Sequence, residues 1–283
     1  MIEQTKKPAP ADMRECGMMA ITGIQGVGKT YQNMHTISNY VKDKFYNKVN
    51  GRKVLIFDTN GEYTTSQFAL ADVTIDVKKM AVRDVGDFGR SRNIEVRRID
   101  ASNASIDEKI AAMEYIIKEY RNGMLVLEDI NTYILNMTHM RSIVGGLVNL
   151  RHRGVDVLIS YQSARPVEPR IWQNSRWVRM HYQADNVSDI KGKLPNLELY
   201  KIAQILVNNR YFNNDKRFFV YVHNFANQIE GKFTEEEFLI AAHQYLQINK
   251  TKVKEHQQMY SVKESEALDH CKKTLVTQYY GNK

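Results

Sequence analysis

The chain has 283 residues, 43% hydrophobic and 25% charged, enough to bury the core of one large α/β domain or of a domain with an appended segment. Lys+Arg 40 against Asp+Glu 32 leave a formal charge of +8, which suits an acidic partner such as nucleic acid or a membrane surface and equally a merely basic protein. The only cysteines, Cys16 and Cys271, have no metal-ligand spacing; this excludes a disulfide framework and predicts reduced thiols in a cytosolic setting.

Residues 1–16 are rich in Pro and charge, with no apolar stretch behind Lys6 and Lys7, so they read as a polar tail rather than a signal peptide. No later run approaches the roughly 18 apolar residues that cross a bilayer, which predicts a soluble protein without a transmembrane segment. "MMAITG" (18–23) reads as a buried strand feeding a Gly-rich turn. A helix follows over 29–46, with Met34, Ile37, Tyr40 and Val41 at the spacing of a core-facing stripe.

Strands are predicted at 53–58, 94–99, 124–129, 155–162, 176–182 and 216–224, and helices at 105–120, 133–154, 197–209 and 234–250. The last helix carries Thr234 as N-cap and Glu237 at the capping-box position. Beyond residue 251 the chain is polar and charge-mixed and reads as a peripheral helix or tail. Strands alternating with helices imply a mostly parallel sheet covered on both faces, with its active site beyond the carboxyl ends of the strands.

The turn after the first strand reads Gly23-Ile24-Gln25-Gly26-Val27-Gly28-Lys29-Thr30, followed by Tyr31. It satisfies G-x-x-x-x-G-K-[ST] between a strand and an amphipathic helix. Glycines let successive backbone N–H groups turn inward around phosphates, and the helix presents its positive N-terminus to the same charge. Lys29 would bridge β- and γ-phosphate oxygens, and the Thr30 hydroxyl would ligate Mg²⁺. ATP and Mg²⁺ are the cofactors this loop predicts.

"MLVLED" ends a second apolar strand in Glu128 and Asp129. One carboxylate would hold Mg²⁺, a role that suits Glu128 beside Thr30; the other would polarise the attacking water. Glu-Asp reverses the usual order and leaves the shorter side chain in the base position, so which of the two is the base stays open. One strand later "VDVLISYQSARP" places Gln162 at a strand end, where its amide could read the γ-phosphate. In "KVLIFDTNGEYTTS" (53–66) the strand ends at Asp58, and the Asn60-Gly61 turn leaves Glu62 and Tyr63 exposed beyond its tip.

Taken together, "GIQGVGKT", "FDTNGEY", "LVLED" and "VDVLISYQSARPVEPRIWQN" resemble the HerA/FtsK superfamily of P-loop ATPases over about residues 18–182. The resemblance implies an α/β, additional-strand, RecA-like P-loop NTPase fold with helices on both faces of the sheet. With the polar composition of the N-terminus, the chain is expected to divide into a polar tail (1–16), an ATPase domain (17–225) and a small helical C-terminal extension (226–283), the last not covered by the resemblance. The resemblance implies that Asp58 and Glu62 face the nucleotide to order water, metal or a neighbouring subunit's cation. Members are ring-forming DNA motors, several of them viral genome-packaging ATPases, so the expected function is ATP-driven translocation of double-stranded DNA by a homo-oligomeric ring such as a hexamer. In such a ring Arg151 or Arg153 would reach the next subunit's site. A viral capsid or portal component would be a partner, and host cytoplasm or the virion vertex the location.

Basic loops would hold DNA phosphates; Arg90, Arg92, Arg97, Arg98, Lys191 and Lys193 are the candidates. Two other classes share part of the pattern. A small-molecule or nucleotide kinase also has a P-loop and a strand-end acid, but the Gln-tipped strand counts against it. An ATP-binding phage morphogenesis or DNA-transfer factor would ordinarily bring a membrane span.

Overall fold

The computed structural model describes residues 16–42, 52–134 and 137–282; the expected tail over 1–16, save its last residue, and the end of the first expected helix lie outside them. In chain order the elements are β1 (Met18–Thr22), α1 (Lys29–Val41), β2 (Val54–Asp58), α2 (Thr65–Leu70), β3 (Val77–Lys79), α3 (Val85–Arg90), β4 (Val96–Asp100), α4 (Ile106–Glu119) and β5 (Gly123–Glu128). Next come α5 (Met137–Asn149), β6 (Val155–Tyr161), α6 (Pro169–Asn174), β7 (Ser175–His181), α7 (Leu197–Phe212), β8 (Phe219–His223) and β9 (Gln228–Gly231). Three helices close the chain: α8 (Glu235–Ile248), α9 (Lys250–Tyr260) and α10 (Glu264–Tyr279).

The sheet runs β3-β4-β2-β5-β6-β1-β7-β8-β9. From β3 to β7 all pairings are parallel, and β8 and β9 add antiparallel to that edge. The strand that feeds the phosphate loop, β1, is separated from the acidic strand, β5, by the inserted β6. This is the additional-strand arrangement, and it brings the tips of β1, β5 and β6 to one rim.

Every residue of β2, β5 and β6 is buried, because both faces of the sheet are covered. Side chains alternate between two apolar clusters. Val54, Ile56 and Val126 pack with Met34, Ile37 and Phe68 of α1 and α2, while Leu55, Phe57, Leu125 and Leu127 pack with Met113, Ile116 and Val144 of α4 and α5. The second cluster continues through Leu199 of α7 and Phe238 of α8 to Leu275 and Tyr279 of α10.

The expected strands are all present, and the Thr234–Glu237 capping box forms as read. The expected helix over 133–154 divides into α5 and a short 3-10 turn over Leu150–Arg153. The short β3, β9, α2, α3 and α6 carry too little periodicity to be seen in sequence. Of the two alternatives expected beyond 251, helix or tail, the segment takes the helical one, as α9 and α10. It is tied to the sheet edge: Tyr280 bridges Ile229, and the Asn282 amide donates to the carbonyls of Gly231 at 2.7 Å and Phe233 at 3.0 Å.

Candidate active site

The phosphate loop leaves β1 at Gly23. A β-carbon there would lie 2.6 Å from the His181 Cβ and 3.2 Å from the Tyr182 carbonyl, so the close approach of β7 requires glycine. Gly28, at φ 84, turns the chain left-handed into the N-terminus of α1, a conformation glycine adopts without a steric penalty. Lys29 is 9% exposed and donates to the carbonyls of Gly23 at 2.6 Å and Ile24 at 2.8 Å. Burial lowers its pKa, and the negative charges of Asp129, Glu128 and Glu62 oppose that shift.

A cavity of about 610 Å³ opens beside the loop. Gln25, Gly26, Gly28, Lys29, Thr30 and Tyr31 line one side, and Glu62, Glu128, Asp129 and Gln162 also line it. Of the loop's side chains, Val27 turns inward and is 1% exposed. The cavity thus collects side chains from the tips of β2, β5 and β6 around the start of α1.

Glu62 accepts a 2.9 Å hydrogen bond from the Thr30 hydroxyl. The acid beyond the tip of β2 therefore orients Thr30, the second residue of α1. Asp58, by contrast, does not face the cavity. It is fully buried, accepts from the backbone N–H groups of Asn60, Gly61, Glu62 and Tyr63, and pairs with Arg98 at 2.5 Å. It closes the turn that presents Glu62. Tyr63, expected to be exposed, is fully buried, because the same turn folds its ring back beneath α1, where its hydroxyl donates to Glu128.

Glu128 is 3% exposed. Its Oε1 accepts from Tyr63, from the Asn33 amide at 2.8 Å and from the Ser160 hydroxyl at 3.3 Å. Burial pushes its pKa up to about 7, with the charges of Asp129 and Glu62 adding to the rise and the Tyr63 and Asn33 hydrogen bonds opposing it. Asp129 sits at φ 45, a left-handed conformation that aspartate tolerates better than most residues. The turn aims its carboxylate at Gln162, whose amide donates to Oδ2 at 2.9 Å. Its other oxygen, Oδ1, is buried and has no hydrogen-bond partner among the described residues.

Asn33, Tyr63, Ser160 and Arg179 were not visible as site residues in the sequence. Arg179 is fully buried on β7 and donates to Asn33 Oδ1, to the Lys29 carbonyl at 3.3 Å and to Thr36 at 3.2 Å, so β7 holds α1 and, through Asn33, Glu128. Burial lowers its pKa. Only the residue type at a helical or strand period was readable for these side chains; their convergence depends on the strand order. Arg217 also lines the cavity and carries no motif.

Arg151 and Arg153 precede β6, at the end of the sheet opposite the cavity. The Arg153 guanidinium donates to the Ile117 carbonyl at 2.7 Å and to that of Lys118, where a cation suits the C-terminal end of α4. Of the DNA candidates, Arg98 is buried on Asp58 and is removed from that list. Arg97 pairs with Glu95 at 2.7 Å and Arg90 with Asp87 at 2.7 Å. Lys193 donates to the Arg165 carbonyl at 2.7 Å, and Arg92 and Lys191 are exposed. Arg90 and Arg92 precede β4 whereas Lys191 and Lys193 follow β7, so the sheet places the two groups at opposite ends.

The inserted strand between β1 and β5, the glycine loop and the carboxylates at the neighbouring strand tip define a P-loop NTPase fold of the additional-strand class. The chain is similar to several solved structures. One is the genome packaging NTPase B204 from Sulfolobus turreted icosahedral virus 2 in complex with ATP-gammaS, at 14% identity and a TM-score of 0.48 over 77% of this chain and 97% of that one. A second is the N-terminal domain of zonular occludens toxin from Neisseria meningitidis, at 15% identity and a TM-score of 0.31 over 60% of this chain and 79% of that one. The cytoplasmic domain of EssC matches at 13% identity and a TM-score of 0.37 over 62% of this chain and 33% of that one. No family model and no curated protein sequence matches the chain. No helix among the described residues is long and apolar enough to cross a membrane.

Proposed function

We propose that the chain is an ATPase that couples hydrolysis at this cavity to movement of double-stranded DNA, with viral genome packaging as its role. The observation that supports hydrolysis is the convergence of Lys29, the Thr30–Glu62 pair, Glu128 and the Asp129–Gln162 pair on one cavity beside the loop. ATP phosphates take the loop's N–H groups, and Lys29 exchanges the Gly23 and Ile24 carbonyls for phosphate oxygens. Thr30 and Glu128 are hard oxygen donors of the kind Mg²⁺ accepts, and Glu62 takes the Thr30 hydroxyl's hydrogen bond, which leaves that oxygen's lone pairs for the ion. When bound, the ion neutralises charge developing on the phosphates. Asp129 lines the cavity at the tip of β5 beside Gln162, so it is the carboxylate assigned to the attacking water, with the Gln162 amide fixing its orientation.

The coupling to DNA rests on the HerA/FtsK resemblance and on the net charge of +8. The working form is a homo-oligomeric ring, a hexamer in this reading. Arg151 and Arg153, remote from their own cavity, would serve the next copy's site, and a capsid or portal component would be the docking partner in the host cytoplasm or at the virion vertex. Arg92 and Lys191, exposed, are the cations retained for DNA phosphates. The test is steady-state ATP hydrolysis with and without long double-stranded DNA over a salt series. Stimulation that fades as salt rises is expected for a protein gripping phosphates; hydrolysis indifferent to DNA at every salt concentration would overturn the translocase reading and leave an ATPase of another kind.

A further inference from the structure

Arg217 stands in the turn between α7 and β8, outside every motif, yet its side chain crosses the phosphate loop. A β-carbon built on Gly28 would meet its Cγ at 3.6 Å, its Cδ at 3.7 Å and its Cβ at 3.9 Å. Beyond that contact the guanidinium passes over the ring of Tyr31, 5.7 Å from the centroid. Among the described residues no carboxylate pairs with it. Tyr31 is itself 37% exposed, and both residues line the cavity.

The cavity's lining divides by chemistry. Lys29, Glu128, Asp129 and Gln162 supply charge and hydrogen bonds, whereas Met34, Leu70 and Ala71, on the α1 and α2 side, supply apolar surface. Tyr31 lies past the last loop residue, one helical turn beyond Gly28. A phosphate chain held by the loop and Lys29 therefore has its organic end left to meet Tyr31, Arg217 and the apolar residues. A guanidinium plane and a tyrosine ring both offer flat faces to a nucleobase, and such stacking tolerates any base because every base has a π-face.

We propose that Tyr31 and Arg217 form the nucleobase subsite of this cavity, holding the base of the bound nucleoside triphosphate by stacking, with Arg217 supplied by the same chain that supplies the loop. The proposal rests on the nucleotide-binding reading and deepens it. It also gives the β7–β8–β9 edge a part in the site: the turn that leads into β8 carries one wall.

The test compares binding of ATP with binding of inorganic tripolyphosphate, by calorimetry on the full chain in the presence of Mg²⁺. Arg217→Ala and Tyr31→Ala should each weaken ATP binding about tenfold and leave tripolyphosphate binding within about twofold. Arg217→Lys should behave as Arg217→Ala, because it keeps the charge and loses the plane. Equal weakening of both ligands by Arg217→Ala, with rescue by Arg217→Lys, would place the cation on phosphate and overturn the proposal. Unchanged ATP affinity in both alanine variants would also overturn it. Wild-type protein that binds neither ligand would fail the nucleotide-binding reading itself, a separate outcome. Both side chains are on the surface, so the variants are expected to fold, and unchanged melting temperatures check that they do.

Discussion

Two neighbouring strands, β2 and β5, each end in a buried acid, and the two acids are used in opposite ways. Asp58 is saturated by four backbone N–H groups and the Arg98 guanidinium. Glu128, one strand over, has only side-chain donors, Tyr63, Asn33 and Ser160, all on one oxygen. Backbone donors and a fixed cation hold a carboxylate as structure. A few neutral side chains in a dry site leave Glu128 near its protonation midpoint, about 7, while it lines the cavity. Position at a strand tip therefore does not decide a role; the donors around the carboxylate do.

The largest effects should fall on the cavity side of that comparison. Glu128→Gln and Asp129→Asn are each expected to lower kcat by about 10²–10⁴-fold with the fold intact. Asp129→Asn should spare nucleotide binding, whereas Glu128→Gln should weaken its Mg²⁺ dependence. Steady-state hydrolysis and nucleotide titrations check both, and full turnover in the pair would remove the functional half of the contrast. Asp58→Ala tests the structural half. Losing Asp58 leaves Arg98, only 4% exposed, with Asp100 at 3.0 Å as its remaining carboxylate and frees the four turn N–H groups; this should cost about 3 kcal/mol, a fall in Tm on the order of 10 °C. A thermal melt at the wild-type Tm would show Asp58 to be dispensable.

A smaller effect concerns pH. The Glu128 carboxyl has its pKa raised from 4.5 to about 7, so between those values the folded state binds more protons than the unfolded one. Its contribution to stability is present in full below about pH 4.5 and is lost as pH rises through about 7. Glu128→Gln should flatten this part of the Tm-against-pH curve and melt higher than wild type at pH 8. Parallel curves for the two proteins would contradict the assigned environment. The smallest expected change is Glu62→Gln: about a tenfold loss in kcat, through the Thr30 hydroxyl it orients, with no change in Tm because Glu62 is exposed.

Local chemistry made much of this molecule legible from its sequence. Glycines at the special turn, apolar runs of strand length, the stripe of Met34, Ile37 and Tyr40 and the Thr234 capping box all act within a few residues of one another. They determined the phosphate loop, the expected strands and the identity of Lys29, Thr30, Glu128 and Asp129 as candidates. What lay beyond sequence was every relation between distant segments. Tyr63 looked like an exposed turn residue until the Asp58 turn folded it under α1, and Arg98 looked like a surface cation until β2 and β4 paired in register. Asn33, Ser160 and Arg179 come together only because β6 is inserted between β1 and β5 while β7 flanks β1. A side chain's type and period are properties of the chain, but its hydrogen-bond partners and burial are set by strand order, which short-range patterns do not encode; tertiary structure alone therefore decided that one buried acid closes a turn and its neighbour faces the cavity.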